Sequence, residues 1–376
     1  MKKIYLDNAA TTCVVPEVIE VMTDVLANAY GNPSSTHAFG RESKVLIETA
    51  RKSIAKYINA QATEIIFTSC GTEGDNWILS AAVNDLKVQR IITTKIEHHA
   101  VLHTLEVLQL KNPTLEIVYL PVNNLGVIDY EVLENTLASD SKKTLVSLMH
   151  VNNEIGSILD LNRVGLLCKT YNAFFHSDTV QSIGKEIIDV QAANLDFLVA
   201  SAHKFHGPKG IGFVYVKKNT IIQPLIHGGE QEKGYRAGTE PVHQIIGMAK
   251  ALDLSYSNLV AHTAYITELK NYAINTLQQA FPDVKINGGS GAFYNILNVM
   301  LPISKDKTAM ILFYLDMKGI AVSRGSACQS GSIKPSHVLA EILNDSELEL
   351  PSLRISFSHF NTKEEIDILV EALKNM

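Results

Sequence analysis

One short apolar run of the chain ends at a lysine: Leu195-Asp-Phe-Leu-Val-Ala-Ser-Ala-His-Lys204, followed by Phe205-His-Gly-Pro-Lys-Gly210. The run predicts a buried strand, and the Gly and Pro after it predict a tight loop. A lysine at the end of a buried strand is a candidate for chemistry, because desolvation lowers the pKa of the ammonium and frees the amine for Schiff-base formation. A lone lysine is more often an ordinary surface residue, so the interpretation depends on its partners.

The same arrangement recurs along the chain: a β-branched run, then small polar residues, then a helical segment. It occurs after the runs at 65–68, 91–94, 145–149 and 173–175. Strands alternating with helices predict an α/β fold with a mostly parallel sheet, whose ligands bind beyond the carboxyl ends of the strands. At 376 residues the chain exceeds the usual size of one core. We therefore expect a large α/β domain over 16–255 and a smaller α+β domain built from 1–15 and 256–376.

Composition and charge exclude several classes of protein. With 46% apolar and 19% charged residues, the chain is of the globular class. The net charge is −6, and no run of Lys and Arg interleaves with aromatic residues, so no nucleic-acid partner is expected. No signal peptide or membrane span is visible, which predicts a cytoplasmic protein without a membrane partner. The four cysteines lie far apart without a CxxC pair, so neither a structural metal site nor a disulfide framework is predicted.

Polar residues at the predicted strand ends fit one cofactor together better than singly. Gly71-Thr72 begins a predicted helix, whose free N–H groups favour a phosphate. Asp178 ends an apolar strand and needs a partner such as a protonated pyridine nitrogen, although a helix N-cap explains it equally well alone. Gln181 could reach a ring substituent, and His98 is either a packed aromatic or an acid/base group stacked on a cofactor. With Lys204, these residues match pyridoxal 5′-phosphate (PLP).

Cys328 lies in Ser323-Arg-Gly-Ser-Ala-Cys-Gln-Ser-Gly-Ser332, a run of small residues in which a buried, packed cysteine fits poorly. A free thiol has a pKa of about 8.5, so an exposed cysteine near cationic groups carries enough thiolate to attack sulfur. The other cysteines, Cys13, Cys70 and Cys168, are interpreted as small packing residues. Cys168 is expected in a helix, on the face that packs against the core.

Seven motifs occur in order along the chain: Tyr5-Leu-Asp-Asn-Ala-Ala-Thr-Thr12, Gly31-Asn-Pro-Ser-Ser35, Thr68-Ser-Cys-Gly-Thr-Glu73, His150-Val-Asn-Asn-Glu-Ile-Gly156, Ser201-Ala-His-Lys204, Arg236-Ala-Gly-Thr239 and Gly325-Ser-Ala-Cys328. Together they resemble the motifs of the cysteine desulfurases of the NifS/IscS type. These are PLP enzymes of the class V aminotransferase family with the aspartate-aminotransferase fold, fold type I. The resemblance extends from residue 5 to about residue 370.

The resemblance implies a role for each matching residue. Lys204 would attach PLP covalently, Asp178 would pair with its pyridine nitrogen, and Gln181 would bond its phenolic oxygen. His98 would stack on the ring, and Asn153 would also contact the cofactor. The implied phosphate ligands are Gly71, Thr72, Ser201 and His203. Thr239 would reach the phosphate of the partner subunit, which implies a homodimer. Asn153 and Arg354 would orient the substrate, Arg354 by a bidentate grip on its carboxylate. Cys328, Lys204 and His98 would be the catalytic residues.

The implied reaction converts L-cysteine to L-alanine. Lys204 would move the Cα proton, and the Cys328 thiolate would take the sulfur as a persulfide for an acceptor or iron–sulfur scaffold protein, serving cluster or other thio-cofactor assembly. Two alternatives are another class V enzyme, either a selenocysteine lyase or an aminotransferase, and a catalytically silent sulfur-relay or scaffold subunit. Amino-group transfer has no use for the Cys328 thiol, and a silent subunit would bind no PLP.

Two departures from the family pattern concern the sulfur acceptor. Gln329 stands where a Thr is expected, a change that should leave the nucleophile intact but alter loop contacts. The chain also stops at Met376, without the longer tail that housekeeping members use to dock a scaffold. Both departures leave the acceptor unspecified.

Overall fold

The computed structural model describes residues 3–304, 307–308, 310–325 and 336–376, which contain alternating strands and helices. The strands are β1 (Ile4–Tyr5), β2 (Ile65–Thr68), β3 (Arg90–Thr94), β4 (Glu116–Leu120), β5 (Thr144–Ser147), β6 (Phe174–Asp178), β7 (Phe197–Ser201), β8 (Gly212–Val216), β9 (Lys285–Asn287), β10 (Ile296–Met300), β11 (Ile320–Ala321) and β12 (Ser352–Ser356). The helices are α1 (Pro16–Asn28), α2 (Ala38–Tyr57), α3 (Gly71–Asn84), α4 (His99–Lys111), α5 (Tyr130–Ala138), α6 (Leu161–Thr170), α7 (Val242–Ser257), α8 (Leu259–Ala280), α9 (Ile311–Met317), α10 (His337–Ala340), α11 (Asp345–Leu348) and α12 (Lys363–Lys374).

The large sheet confirms the predicted α/β class. Its strand order is β2-β8-β7-β6-β5-β3-β4. Strand β8 is antiparallel to both of its neighbours, and the neighbouring strands from β7 to β4 are parallel to one another. The carboxyl ends of β2, β3, β6 and β7 therefore meet at one edge of the sheet, where the polar motifs were predicted to converge.

Both faces of this sheet are buried, because helices cover each of them. In β7, Leu198 and Ala200 pack toward a cluster that includes apolar residues of α1, α2, α6 and α7. Their neighbours Phe197 and Val199 pack toward the opposite cluster, which includes residues of α3 and α4. Alternate side chains of a strand point to opposite faces, so a strand buried on both reads as a continuous apolar run. This explains why the run before Lys204 shows no alternation of polar and apolar residues.

A second core is formed around a smaller antiparallel sheet of order β12-β10-β9. Apolar residues of α8, α9 and α12 pack with those of β10 and β12. Helix α12 begins with a capping box, in which Thr362 accepts from the Glu365 amide and the Glu365 side chain accepts from the Thr362 amide. Strand β1 pairs in parallel with β11. The proposed domain bounds at 15/16 and 255/256 stay a prediction.

Within the part of the chain that the structure describes, no helix combines the length and the apolar character needed to cross a bilayer.

Buried neutral histidines predict a fold that weakens in acid. Burial lowers the pKa of His150 to about 4, whereas an unfolded histidine titrates near pH 6.5. Between these values the unfolded chain binds more protons, so the stability present above about pH 6.5 is lost as the pH falls toward 4. When the pH falls from 7 to 5, we expect the protonation of His150 in the unfolded chain to lower the free energy of unfolding by about 2 kcal/mol.

Urea unfolding of the wild type and of His150→Gln at the two pH values measures this cost. The variant should lose about 2 kcal/mol less than the wild type on acidification. His103→Gln is the matched control, because His103 is exposed. Equal acid losses in all three proteins would contradict the assignment to His150.

Candidate active site

A cavity of about 200 Å³ opens at the carboxyl edge of the large sheet. Nine of the residues singled out from the sequence line it: Gly71, Thr72, His98, Asn153, Asp178, Gln181, His203, Lys204 and Arg354. Five further lining residues were not predicted: Ala9, Ala10, Asp75, Met149 and Val180. The cavity thus brings together residues from both ends of the chain and from the ends of several strands.

Lys204 follows β7 in a single turn of 3-10 helix. Its Nζ donates to the carbonyl oxygens of Ala9 at 2.7 Å and of Ala10 at 2.9 Å. The same N-terminal segment is fixed to the lysine loop, since the Thr12 amide donates to the His203 carbonyl at 2.9 Å. The amine is therefore held inside the cavity by backbone groups that sequence reasoning did not identify.

Asp178 ends β6 with its side chain buried, and no described helix begins beside it. The N-cap interpretation of this residue is therefore wrong. Burial raises the pKa of the Asp178 carboxyl to about 6, against the opposing effects of the Val180 amide and of Lys204. A cationic ring nitrogen near this carboxylate would offset its desolvation. Gln181, three residues on, donates from Nε2 to the Ala9 carbonyl at 2.8 Å.

His98 is the N-cap of α4, because its Nδ1 accepts from the Ala100 amide at 3.1 Å. Burial, reinforced by Lys204 and by neighbouring histidines, lowers the pKa of His98 to about 4. The imidazole is therefore neutral near pH 7, and Nε2 carries its proton. A neutral ring held by a helix N-terminus is suited to stack on an aromatic cofactor.

Asp75 is a second carboxyl group at this edge, and it is 1% exposed. Burial, together with the charges of Asp178 and Glu97, raises the pKa of Asp75 well above its usual value. Behind it, His176 Nε2 lies 3.4 Å from Asp75 Oδ1. Helical spacing could have revealed Asp75, because it lies one turn after Gly71 on the same face of α3.

The side chains of Asp75, His98 and Asp178 lie close enough to hold a metal ion. Their candidate ligand atoms are all within 4.8 Å of one another. The same groups line the cavity predicted for PLP, and the expectation of no metal stays a prediction.

The helix α3 end of the cavity has the features of a phosphate site. Gly71 begins α3, and a Cβ added to it would meet Val180 Cγ2 at 2.7 Å, so the backbone approaches closely only because this residue is glycine. Ser201 lies behind it, 2% exposed, and its Oγ has no hydrogen-bond partner among the described residues. A phosphate at a helix N-terminus would satisfy such a hydroxyl. This donor set fits the phosphate of PLP.

His203 and Thr239, the other two predicted phosphate ligands, differ in position. His203 lines the cavity, and its Nδ1 lies 3.1 Å from Thr11 Oγ1. Thr239 is exposed and is not among the lining residues. The chain therefore does not bring Thr239 to its own cavity.

Arg354 forms the opposite end of the cavity and is 1% exposed. Its Nη1 donates to the Asn153 carbonyl at 2.8 Å, and its Nη2 donates to Asp7 Oδ1 at 2.8 Å. Its Nε is buried without a hydrogen-bond partner among the described residues. A guanidinium held in this way is a preorganised site for a carboxylate.

The predicted nucleophile, Cys328, lies outside the described residues. Of the cysteines within them, Cys168 is buried in α6 as predicted. The packing interpretation is wrong for Cys13, which is exposed, and Cys70 is partly exposed.

Comparisons with known proteins extend over almost the whole chain. Residues 4–369 match the sequence profile of the Aminotransferase class-V family. The "Cysteine desulfurase IscS" of Clostridium botulinum (strain Kyoto / Type A2) is 42% identical over 375 residues, which cover 99% of this chain and 94% of that protein. A solved structure named "NIFS-LIKE PROTEIN" has a TM-score of 0.91 and 35% identity, covering 100% of this chain and 99% of that chain. Another, "SspA in complex with cysteine", has a TM-score of 0.82 and 31% identity, covering 96% and 100% respectively.

Proposed function

This chain belongs to the class-V aminotransferase family, and we propose that it is a PLP-dependent cysteine desulfurase that converts L-cysteine to L-alanine. The observation that carries the proposal is the single cavity that unites Lys204, Asp178 and the buried guanidinium of Arg354. Relatives named cysteine desulfurase and a neighbour in complex with cysteine support this substrate. They favour it over selenocysteine cleavage or amino-group transfer.

The residues present fit PLP, which when bound supplies an electron sink for the bonds at the Cα of an amino acid. Lys204 would attach it, and Asp178 would hold its ring nitrogen. Gly71, Thr72, Ser201 and His203 would hold the phosphate, and Gln181, His98 and Asn153 would contact the ring and its substituents. Arg354 would bind the carboxylate of L-cysteine. The freed Lys204 amine, kept in the cavity by the carbonyls of Ala9 and Ala10, would take the Cα proton.

The proposed transfer of sulfur to Cys328 needs no external oxidant, because the electrons lost by sulfur are gained by the carbon skeleton of the substrate. The Cys328 thiolate attacks the sulfur of L-cysteine, a sulfur–sulfur bond forms, and the Cβ–sulfur bond breaks. The electron pair of the broken bond stays with the carbon skeleton, which takes up protons and leaves as L-alanine. The sulfur is oxidised to the sulfane level and Cβ is reduced to a methyl group. A persulfide remains on Cys328 for an acceptor protein, which we propose to serve iron–sulfur cluster or other thio-cofactor assembly.

The proposal includes a homodimer and a cytoplasmic location. Thr239 is exposed and lies away from the cavity of its own chain, a position that supports a role at the phosphate of a partner subunit. Dimer formation would then complete each cavity.

The proposed activity is tested by supplying the PLP-loaded protein with L-cysteine and a thiol reductant. We expect alanine and sulfide in equal amounts, and a persulfide on the peptide that contains Cys328 when the reductant is left out. A Cys13→Ser variant should behave like the wild type, because Cys13 is exposed and does not line the cavity. Formation of a keto acid without sulfide would indicate an aminotransferase instead.

A further prediction concerns substrate binding by Arg354. In Arg354→Lys we expect the KM for L-cysteine to rise by about 10- to 100-fold, because an ammonium cannot keep Asp7 and the Asn153 carbonyl and also grip a carboxylate at two points. Steady-state kinetics measure the change. Arg324→Lys is the control, since Arg324 donates to the Thr308 carbonyl and does not line the cavity. An unchanged KM in Arg354→Lys would contradict this role.

A further inference from the structure

Glu154 is a buried carboxyl group that the reaction described above does not use. Its side chain is fully buried, at 0% exposure. Ser336 Oγ donates to Glu154 Oε2 at 2.5 Å. The backbone around it is also fixed, because its amide donates to Asn152 Oδ1 at 2.9 Å and its carbonyl accepts from Asn298 Nδ2 at 3.1 Å. Glu154 is thus a rigid point, one residue after the Asn153 whose carbonyl binds Arg354.

Two distant parts of the chain meet at this point. Gly325 has a φ of +68°, and a Cβ added there would lie 3.1 Å from Ser336 Cβ and 3.3 Å from Glu154 Oε2. Gly325 and Ser336 are the described residues that flank the segment 326–335, which contains Cys328. The two residues that flank this segment, Gly325 and Ser336, therefore lie close to each other and to the Glu154 carboxylate.

The chain on each side of this contact is tied to the residues of the cavity. Before it, Ser323 and Arg354 exchange backbone hydrogen bonds of 3.2 and 2.7 Å, and Ser323 Oγ donates to Asp7 Oδ2 at 2.9 Å. After it, His337 Nε2 lies 2.9 Å from the Glu97 carbonyl, next to His98. Both flanks are thereby held relative to the substrate carboxylate site and to the cofactor face.

We propose that Glu154, through Ser336, is a positioning residue for sulfur transfer: it fixes the described residues, Gly325 and Ser336, that flank the part of the chain carrying Cys328. The proposal rests on the desulfurase function proposed above. Fixing the two flanking residues in space lowers the number of conformations open to the chain between them, and releasing one of them raises that number. Reacting groups that are misplaced by about 1 Å can lose on the order of 10² in rate. Proton removal by Lys204 does not involve this segment and should not depend on Glu154.

The test separates the contact with Glu154 from the second role of Ser336. Ser336 also caps α10, where its Oγ accepts from the amides of Val338 and Leu339 at 3.1 and 3.2 Å. Glycine is a tolerated N-cap that costs only a few tenths of a kcal/mol, so Ser336→Gly removes the contact and largely keeps the helix start. Ser336→Thr keeps both the hydroxyl and the cap. Asn344→Gly, which removes the side-chain cap of the neighbouring helix α11, is the matched control.

Three readouts are compared in the PLP-loaded proteins. In Ser336→Gly we expect alanine formation from L-cysteine to fall by about 10- to 100-fold. Exchange of the Cα proton of L-alanine with D₂O, which needs no thiol, should stay within about twofold because substrate and cofactor contacts are intact. The rate at which iodoacetamide alkylates Cys328, followed by peptide mass, should change by several-fold, while that of Cys13 should not. Ser336→Thr and Asn344→Gly should match the wild type in all three.

A parallel loss of Cα exchange and alanine formation in Ser336→Gly would overturn the proposal, because Glu154 would then only support the whole cavity. Unchanged values of all three readouts would overturn it as well. If the wild type exchanged the Cα proton but made no alanine from L-cysteine, the proposed function would fail. The positioning role would then be decided by alkylation of Cys328, which does not depend on that function.

Discussion

Replacing Lys204 with alanine is expected to lower alanine formation from L-cysteine by at least about 10³-fold. Two contributions are lost at once. The proposed covalent attachment of PLP would disappear, and so would the amine, now held by the carbonyls of Ala9 and Ala10 at 2.7 and 2.9 Å, that we propose for proton transfer. A water molecule in the place of the amine would be a weaker base. It would also lack the side chain that tethers the amine in the cavity. The assay is alanine released per subunit under saturating PLP and L-cysteine.

Gel filtration and absorbance give a second measurement for the same variant. Lys204→Ala should lose PLP on a desalting column, while the wild type should retain it. Lys209→Ala is the matched control, because Lys209 belongs to the same loop but is exposed. Retention of about a tenth or more of the wild-type turnover would show that Lys204 is not the base.

Cys328→Ser should also lower alanine formation from L-cysteine by at least about 10³-fold. A serine hydroxyl is not ionised near pH 7 and does not attack sulfur. Proton removal at Cα should continue, since Lys204 and Asp178 are untouched. The expected result is therefore exchange of the Cα proton of L-alanine at about the wild-type rate, without release of sulfide from L-cysteine.

The control for this variant is Cys13→Ser, which alters an exposed thiol outside the cavity. Full turnover of L-cysteine by Cys328→Ser would exclude the persulfide mechanism. It would favour an aminotransferase or a lyase that uses the same Lys204 and Asp178.

The sheet and most of the cavity were predictable from sequence because their signals are local. The run before Lys204 is apolar at successive positions, so both faces of β7 must be buried, which predicts a strand inside a sheet covered on both sides. Gly71, Asp178 and Lys204 each follow a strand directly, and parallel strands bring their carboxyl ends to one edge. The antiparallel direction of β8 was not predicted, because a buried strand has a similar composition whether it is parallel or antiparallel to its neighbours.

The remaining features depend on contacts between distant parts of the chain. Ala9 and Ala10 act through backbone carbonyls, so their side chains give no hint that they bind Lys204. Asp7 was quoted only as part of a motif, and its pairing with Arg354 depends on the meeting of the two chain ends. Glu154 was visible in the same way, but its contact with Ser336 joins residues 182 positions apart. Such pairings follow from tertiary packing and not from local pattern.

The ion pair between Asp7 and Arg354 cannot form until residue 354 has been synthesised. The two residues are 347 positions apart. At about 5–20 residues per second, the ribosome takes roughly 20–70 s to make the second after the first. During that interval the strands that end at Asp178 and lead to Lys204 can form, but Asp7 does not yet have its partner Arg354. The Asp7–Arg354 end of the cavity is therefore completed only after residue 354 has been made, and a chain terminated before that residue lacks the guanidinium proposed to bind the substrate carboxylate.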